Sequence, residues 1–314
     1  EIDAFSSLGR EPDPEAVMFV SLEPCSTHGK TPPCTAAILE SGIKKVFVAT
    51  TDPNPKHAGR GIGILVKADV EVELAPDSVR KEAERMNLIF NHNMLTGGPL
   101  VALKLAESAN GMVAERSGYP SEVTGAEARE DVMRWRRLFP AICVGSGTLL
   151  ADDPSLTSRL PDETWCPARI LVDSSLSTLR DGVVPRKVYV DEFSARTVIL
   201  TTAKGLGHEG RVARANEFGI RLIEAEESRS GRVDPSFLRS VLSELSLNAL
   251  YCEGGPTLAR SLLESDQVDY LFHYRSPKLF GGEEALPGPG LDEYRVLEAI
   301  EEEFGEDSLN HGFL

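Results

Sequence analysis

The chain has 314 residues, enough for two domains that each bury a core of their own. Its 41% apolar and 26% charged residues describe an ordinary globular protein, and 33 basic against 49 acidic residues leave a net charge of −16. With no cluster of Lys or Arg to offset that charge, nucleic acid and anionic membranes make poor partners; no apolar run approaches a membrane span and no signal peptide is visible.

In chain order, Ala16–Leu22 reads as a buried strand, Pro33–Ser41 as a helix ended by Gly42, and Lys45–Thr50 as a second strand. A Pro-rich loop, Asp52–Arg60, leads through a short helix to strand Val70–Leu74. Ser78–Asn91 then has the apolar spacing of one amphipathic helix. Gly97-Gly98-Pro99 breaks that helix and sets the predicted boundary between domains 1–97 and 98–314. Strand Leu100–Leu105, helix Ala126–Leu138 and strands Ala141–Val144, Arg169–Asp173, Thr197–Thr201 and Ile220–Ile223 follow. Helix Pro235–Leu245, strand Ala249–Glu253, helix Pro256–Leu263 and strand Val268–Tyr274 come next, and Gly281–Gly290 reads as a loop. Strands separated by helices predict an α/β fold, with a parallel sheet and helices on its faces.

Two stretches carry chemistry. Glu23-Pro24-Cys25 with Pro32-Pro33-Cys34 pairs two cysteines nine positions apart, the second at a predicted helix start where the dipole favours a thiolate. Zinc-dependent deaminases use H-x-E followed by P-C-x-x-C, in which the Glu shuttles protons beside the metal. Glu1 takes the shuttle position, and the signature's His falls before the first residue. Two small buried hydrophobes, a structural metal pair or an adventitious disulfide remain open readings of Cys25 and Cys34. His28 and His57 read as solvated loop residues, and Cys143, Cys166 and Cys252 lack metal spacing. Five cysteines, an odd number, suit a reducing cytoplasm.

The second stretch is a pair of glycine turns at strand ends. Ala141–Val144 runs into Gly145-Ser146-Gly147-Thr148, and Ala249–Glu253 into Gly254-Gly255-Pro256. Neither is a G-x-G-x-x-G fingerprint. Glycines there let backbone approach a ligand, and a helix opened by Pro256 presents free N–H groups to phosphate. Ordinary strand-to-helix turns are the competing reading. Arg134, Arg136 and Arg137 lie on one helix and read as a solvated face, while Arg159 could pair with the carboxylates of Asp152-Asp153.

Ser21–Ser26, Gly29–Cys34, Asp52-Pro53-Asn54-Pro55 with Gly59-Arg60-Gly61, and the two glycine turns together resemble the bifunctional riboflavin-biosynthesis deaminase/reductase family over essentially the whole chain. The resemblance implies a cytidine-deaminase-like zinc domain, incomplete at its start, followed by a dihydrofolate-reductase-like domain that uses NADPH. The first would deaminate a diamino-ribosylamino-pyrimidinone 5′-phosphate, and the second would reduce the ribosyl group of the product to ribityl. By this resemblance Glu1 is the catalytic Glu, Cys25 and Cys34 are zinc ligands, and Lys30, Asp52 and Asn54 face the first substrate. In the second domain Ala106, Thr148, Asp152 and Gly255, Pro256, Thr257, Leu258, Ala259, Arg260 and Ser261 would hold NADPH. Lys104, Ser108, Arg136, Leu156, Arg159 and Glu253 would contact its substrate, and a homo-oligomer is implied. The family's pattern is broken at Thr27, where a His is usual, at Asn110, where an Asp is usual, and at Glu122, where a Trp is usual. These departures and the missing ligand point to an impaired deaminase half. They also keep open a reductase with a merely structural first domain, or a non-catalytic pyrimidine-nucleotide binder.

Overall fold

The computed structural model describes residues 1–13, 15–28 and 32–314, so Lys30 lies outside the described residues. The chain divides into two compact units, Glu1–Gly97 and Gly98–Leu314.

The first unit runs α1 (Ile2–Leu8), β1 (Val17–Val20), α2 (Cys34–Glu40), β2 (Lys45–Val48), α3 (Arg60–Lys67), β3 (Glu71–Leu74), α4 (Asp77–Met86) and α5 (Leu88–Thr96). Its three strands pair in parallel in the order β1-β2-β3. Ile38 of α2 and Leu65 of α3 pack on Val46 and Val48 of β2, all fully buried. The single helix expected over Ser78–Asn91 is two helices. Asn87 leaves helical geometry (φ −98°, ψ 17°), ending α4 and opening α5. Its side-chain amide donates to the Ala83 carbonyl at 3.0 Å, a local bond that competes with helix continuation.

The second unit opens with β4 (Leu100–Ser108), β5 (Met112–Ala114), α6 (Ala126–Leu138), β6 (Ala141–Gly145) and α7 (Ser146–Asp152). A small hairpin, β7 (Ser158–Leu160) and β8 (Glu163–Trp165), precedes β9 (Ala168–Val172), α8 (Lys187–Val190), β10 (Thr197–Thr201), α9 (Ala203–Leu206), α10 (Glu209–Glu217) and β11 (Arg221–Glu224). The chain then returns through α11 (Phe237–Glu244), β12 (Ala249–Cys252), α12 (Pro256–Glu264) and β13 (Tyr270–Ser276). It ends with β14 (Leu286–Pro287), β15 (Leu297–Phe304) and β16 (Asp307–Phe313). Among the described residues the main sheet has the order β11-β10-β9-β6-β12-β4-β13-β16-β15.

That sheet is mixed, which corrects the parallel expectation. β11 to β13 pair in parallel, whereas β16 runs antiparallel to both β13 and β15. Only Gly305 and Glu306 separate β15 from β16, too short a link for a parallel crossover, and Gly305 takes the left-handed φ of 65° that the tight turn needs. Glu298, Glu301, Glu302 and Glu303 hide the strand pattern of β15, and such charge on an edge strand discourages pairing with other chains. The expected loop Gly281–Gly290 also contains a strand, β14, paired with β5.

Side chains alternate between the two faces of this sheet. Val101, Leu103 and Leu105 of β4 point into a core with Leu238, Val241 and Leu242 of α11 and Ala259, Leu262 and Leu263 of α12. The opposite face of β4 carries Ala102, Lys104, Ala106 and Ser108. Beside it stand Tyr251 of β12 and Tyr270, Phe272 and Tyr274 of β13, with Trp135 of α6 packed on Phe272 at 4.5 Å between ring centroids.

Candidate active site

β6, β12 and β4 are parallel neighbours, so the turns that leave β6 and β12 open on the same edge of the sheet. Ligands of open α/β sheets bind at such carboxyl ends, where strand order reverses. The order does reverse here: β6, β9, β10 and β11 run outward, and β12 returns between β6 and β4.

The two glycine turns meet. A β-carbon on Gly254 would lie 2.8 Å from the Leu258 side chain, and one on Gly255 would lie 3.0 Å from the Thr148 hydroxyl of α7. Leu258 therefore fills the space over both strand ends, and the first turn of α12 comes close to α7 because neither glycine has a side chain. Gly255 caps α12, with Pro256 in the first turn and no side chain occupying the free N–H groups. The remaining residues assigned to this turn divide. Thr257 lies in the exposed first turn, whereas Ala259 is fully buried in the core and its N–H is used by the Gly255 carbonyl. Arg260 donates to the carbonyls of Gly288 and Pro289, and the Ser261 carbonyl accepts from the Ser265 hydroxyl.

Below the turns lies a charged cluster. Continuing the register Cys252↔Leu103 by one step brings Glu253 level with Lys104. Arg136 of α6 grips Glu253 with two bonds, Nε to Oε1 at 2.5 Å and Nη2 to Oε2 at 2.9 Å, and donates from Nη1 to the Thr157 carbonyl at 3.0 Å. Both side chains are only 11% exposed, so Arg136 is no solvated helix face. Burial works against both charges, but their attraction prevails. It holds the Glu253 carboxyl below its usual value and the Arg136 guanidinium above its own. Burial pushes the Lys104 ammonium down, while Glu253 opposes the shift and Arg136 adds to it. Burial also pushes up the Asp152 carboxyl, at the end of α7, against the pull of Lys104.

The other assigned residues sit around this cluster. Leu156 is buried in left-handed backbone at φ 54°, an uncommon state for a bulky residue and one often found at working sites. Arg159 is exposed and donates to the Ser155 and Thr157 hydroxyls at 2.9 and 3.0 Å, so the contact expected with Asp152-Asp153 is replaced by a hydroxyl cradle. Ala106 and Ser108 continue the Lys104 face. The Ser108 hydroxyl donates to Asn110 Oδ1, which also accepts from the Phe280 N–H while Asn110 Nδ2 donates to the Phe280 carbonyl. An Asp at 110 could make only half of that two-way bond.

Sequence reasoning missed Asp131 and Tyr274, joined by a hydroxyl-to-carboxylate bond of 2.6 Å in the same layer. A signal existed: Asp131 shares the inward stripe of α6 with Ala128, Val132 and Trp135, where a carboxylate is out of place.

In the first unit the structure brings Glu1, Cys25 and Cys34 together. The Cys34 N–H donates to Cys25 Sγ at 3.2 Å, and the Cys34 thiol lies within hydrogen-bond reach of Cys25 and of the Glu1 carboxylate. Cys34 does open α2, but burial, with Cys25 and Glu1 reinforcing it, pushes its thiol up to about 12. That direction is opposite to the one a helix dipole alone would give. Although Glu1, Cys25 and Cys34 lie near one another, among the described residues no group of three or more His, Cys, Asp or Glu has an arrangement that could hold a metal ion, so the residues present do not make a complete zinc site. Asp52 and Asn54 accept from the N–H groups two residues on, at 2.8 and 3.0 Å, and so shape the loop after β2. The unexpected residue is Glu23. It is buried and accepts from the N–H groups of Asp52, Gly59, Gly61 and Ile62 at 2.8 to 3.2 Å.

Comparison with known proteins now decides the family. The sequence pattern of the RibD C-terminal domain matches residues 99–308. The riboflavin biosynthesis protein RibD of Actinobacillus pleuropneumoniae is 39% identical over 88% of this chain and 72% of its own length. That of Bacillus amyloliquefaciens is 38% identical over 85% and 69%. The chain belongs to the RibD family. A Thermotoga maritima structure, described as a diaminohydroxyphosphoribosylaminopyrimidine deaminase/5-amino-6-(5-phosphoribosylamino)uracil reductase, superposes with a TM-score of 0.74 at 26% identity, covering 99% of this chain and 82% of that one. Family membership makes the chain an enzyme of riboflavin biosynthesis and of its reductase class. No described helix is long and apolar enough to cross a membrane.

Proposed function

We propose that the second unit is a dihydrofolate-reductase-like, NADPH-dependent reductase that converts the ribosyl group of a ribosylamino-pyrimidinedione 5′-phosphate to ribityl. The observation that carries this reading is the cluster of Lys104, Glu253 and Arg136 directly below the paired glycine turns. The turns fit a dinucleotide: they lack side chains where backbone must approach, and the first turn of α12 offers N–H groups and a dipole to a phosphate. Gly255, Pro256, Thr257 and Thr148 would hold the cofactor, which supplies a hydride when bound.

The chain's own residues handle the proton and the orientation. Opening the sugar ring breaks the bond from the anomeric carbon to the ring oxygen. The exocyclic nitrogen gives up its proton as the carbon–nitrogen double bond forms, and the ring oxygen must gain one; the nitrogen would take a proton back from solvent when the anomeric carbon is reduced. Lys104, its ammonium weakened by burial, is the donor suited to that oxygen. Arg136 is committed to Glu253 and Thr157, so it fixes the carboxylate, and Arg159 keeps donors free for the substrate phosphate. Mixing the chain with NADPH and the ribosylamino-pyrimidinedione phosphate should give steady loss of NADPH absorbance. Lys104→Gln should lower the rate by about 100-fold or more. Substrate binding without oxidation would overturn the reading in favour of a binding protein.

For the first unit we propose a deaminase-like module in which Cys25, Cys34 and Glu1 belong to a zinc-hydrolase site that the described residues do not complete. Metal analysis of the purified 314-residue chain should find zinc well below one per molecule. Stoichiometric zinc that resists chelators would defeat this reading.

A further inference from the structure

Lys104 is faced from four elements. Glu253 follows β12, Arg136 comes from α6, Asp152 ends α7, and Tyr274 stands on β13. The first three are charged and partly cancel. Tyr274 differs: its ring presents a face to the ammonium, Nζ lying 5.7 Å from the centroid, within the range of cation–π attraction. The ring is held in place. Tyr274 is fully buried, its hydroxyl donates to Asp131 Oδ2 at 2.6 Å, and Asp131 is itself buried on the inward stripe of α6. Asp131 is faced in turn by Arg134 and Trp135 of its own helix and by Tyr251 of β12. Tyr274, fixed at both ends, has little freedom to turn its face away.

We propose that Tyr274, clamped by Asp131, is a positioning residue that keeps the Lys104 ammonium charged and aimed at the substrate side of the sheet. Cation–π attraction favours the protonated amine, and it opposes the burial that pushes Lys104 towards neutrality. A ring that raises the affinity of Lys104 for its proton extends reductase activity to higher pH. Removing the ring should draw the alkaline limb of the rate profile downward.

The inference rests on the reading of Lys104 as proton donor, so the experiment separates the two. Reductase rates are measured across pH for the parent, Tyr274→Leu, Tyr274→Phe and Lys104→Gln. Tyr274→Leu should move the alkaline limb of kcat down by about one pH unit, with KM changed less than threefold. Tyr274→Phe keeps the ring face but frees it from Asp131, and should move that limb in the same direction by less than Tyr274→Leu does. If Tyr274→Leu is too unstable, Tyr274→Met fills similar volume without an aromatic face and should give the same shift. A uniform loss of rate in the Leu or Met variant, with the limb unmoved, would reduce Tyr274 to a packing residue and overturn the proposal. Parental rates in Lys104→Gln would instead remove Lys104 from the chemistry and overturn both readings.

Discussion

Each unit buries a glutamate just past a parallel strand, and the two are satisfied in opposite ways. Glu23, after β1, accepts from four backbone N–H groups. Glu253, after β12, is gripped by the side chain of Arg136 and felt by Lys104. A carboxylate held by backbone is bound into the course of the chain, because releasing it would unfold the loop it organises. One held by a side chain is fixed without organising a loop, and its charge is still felt by Lys104 next to it. The first unit's carboxylate organises a loop, and the second unit's stands in the cluster proposed to meet the substrate.

The largest effect is expected of Glu253→Ala. It leaves the Arg136 guanidinium buried without its partner, which should cost about 3–5 kcal/mol in denaturant unfolding and abolish NADPH oxidation. A variant that stays active would show that Glu253 is structural, like Glu23. Next is Glu23→Gln, which turns one acceptor oxygen into an amide that faces N–H groups. About 2–3 kcal/mol of stability should be lost, with the oxidation rate per folded molecule unchanged. Gly61 reports on the same knot: a β-carbon there would collide with the Pro24 carbonyl oxygen, so Gly61→Ala should mimic Glu23→Gln.

These contrasts also explain what the sequence revealed. Strands such as Lys45–Val48 and Ala249–Cys252 were legible because buried parallel strands are apolar throughout. The β15–β16 hairpin was not, because its edge strand is mostly acid. Lys104 and Glu253 could be singled out by resemblance, but no spacing rule says that Arg136 spans 117 residues to reach Glu253. Glu23, although it stands beside Cys25, carries no sequence signal of its role. Four backbone donors from residues 52–62 leave no trace in residue type.

A smaller effect is expected at Asn110, whose amide both gives to and takes from the Phe280 backbone. Asn110→Asp sets a carboxylate oxygen against the Phe280 carbonyl and should cost about 1 kcal/mol in the same unfolding assay. A gain in stability would show that the charge finds a better partner than the amide does.

The smallest effect is a pH dependence whose sign follows from the two kinds of carboxylate in the second unit. Glu253 is held below its usual 4.5, so its contribution is complete above that value and is lost as pH falls through its folded value. Asp131 and Asp152 are pushed above their usual 3.8, burial being the leading cause for both. They bind protons more tightly folded than unfolded, so acidification first stabilises through them. Denaturant midpoints followed from about pH 7 downward should therefore rise slightly before they fall, the fall setting in below the usual carboxylate value. Glu253→Gln should flatten the falling limb and leave the rise, whereas Asp131→Asn should remove part of the rise and leave the fall. If both variants keep the parental profile, the acid response belongs to the other carboxylates of a chain with a net charge of −16, and the two buried groups contribute nothing measurable to it.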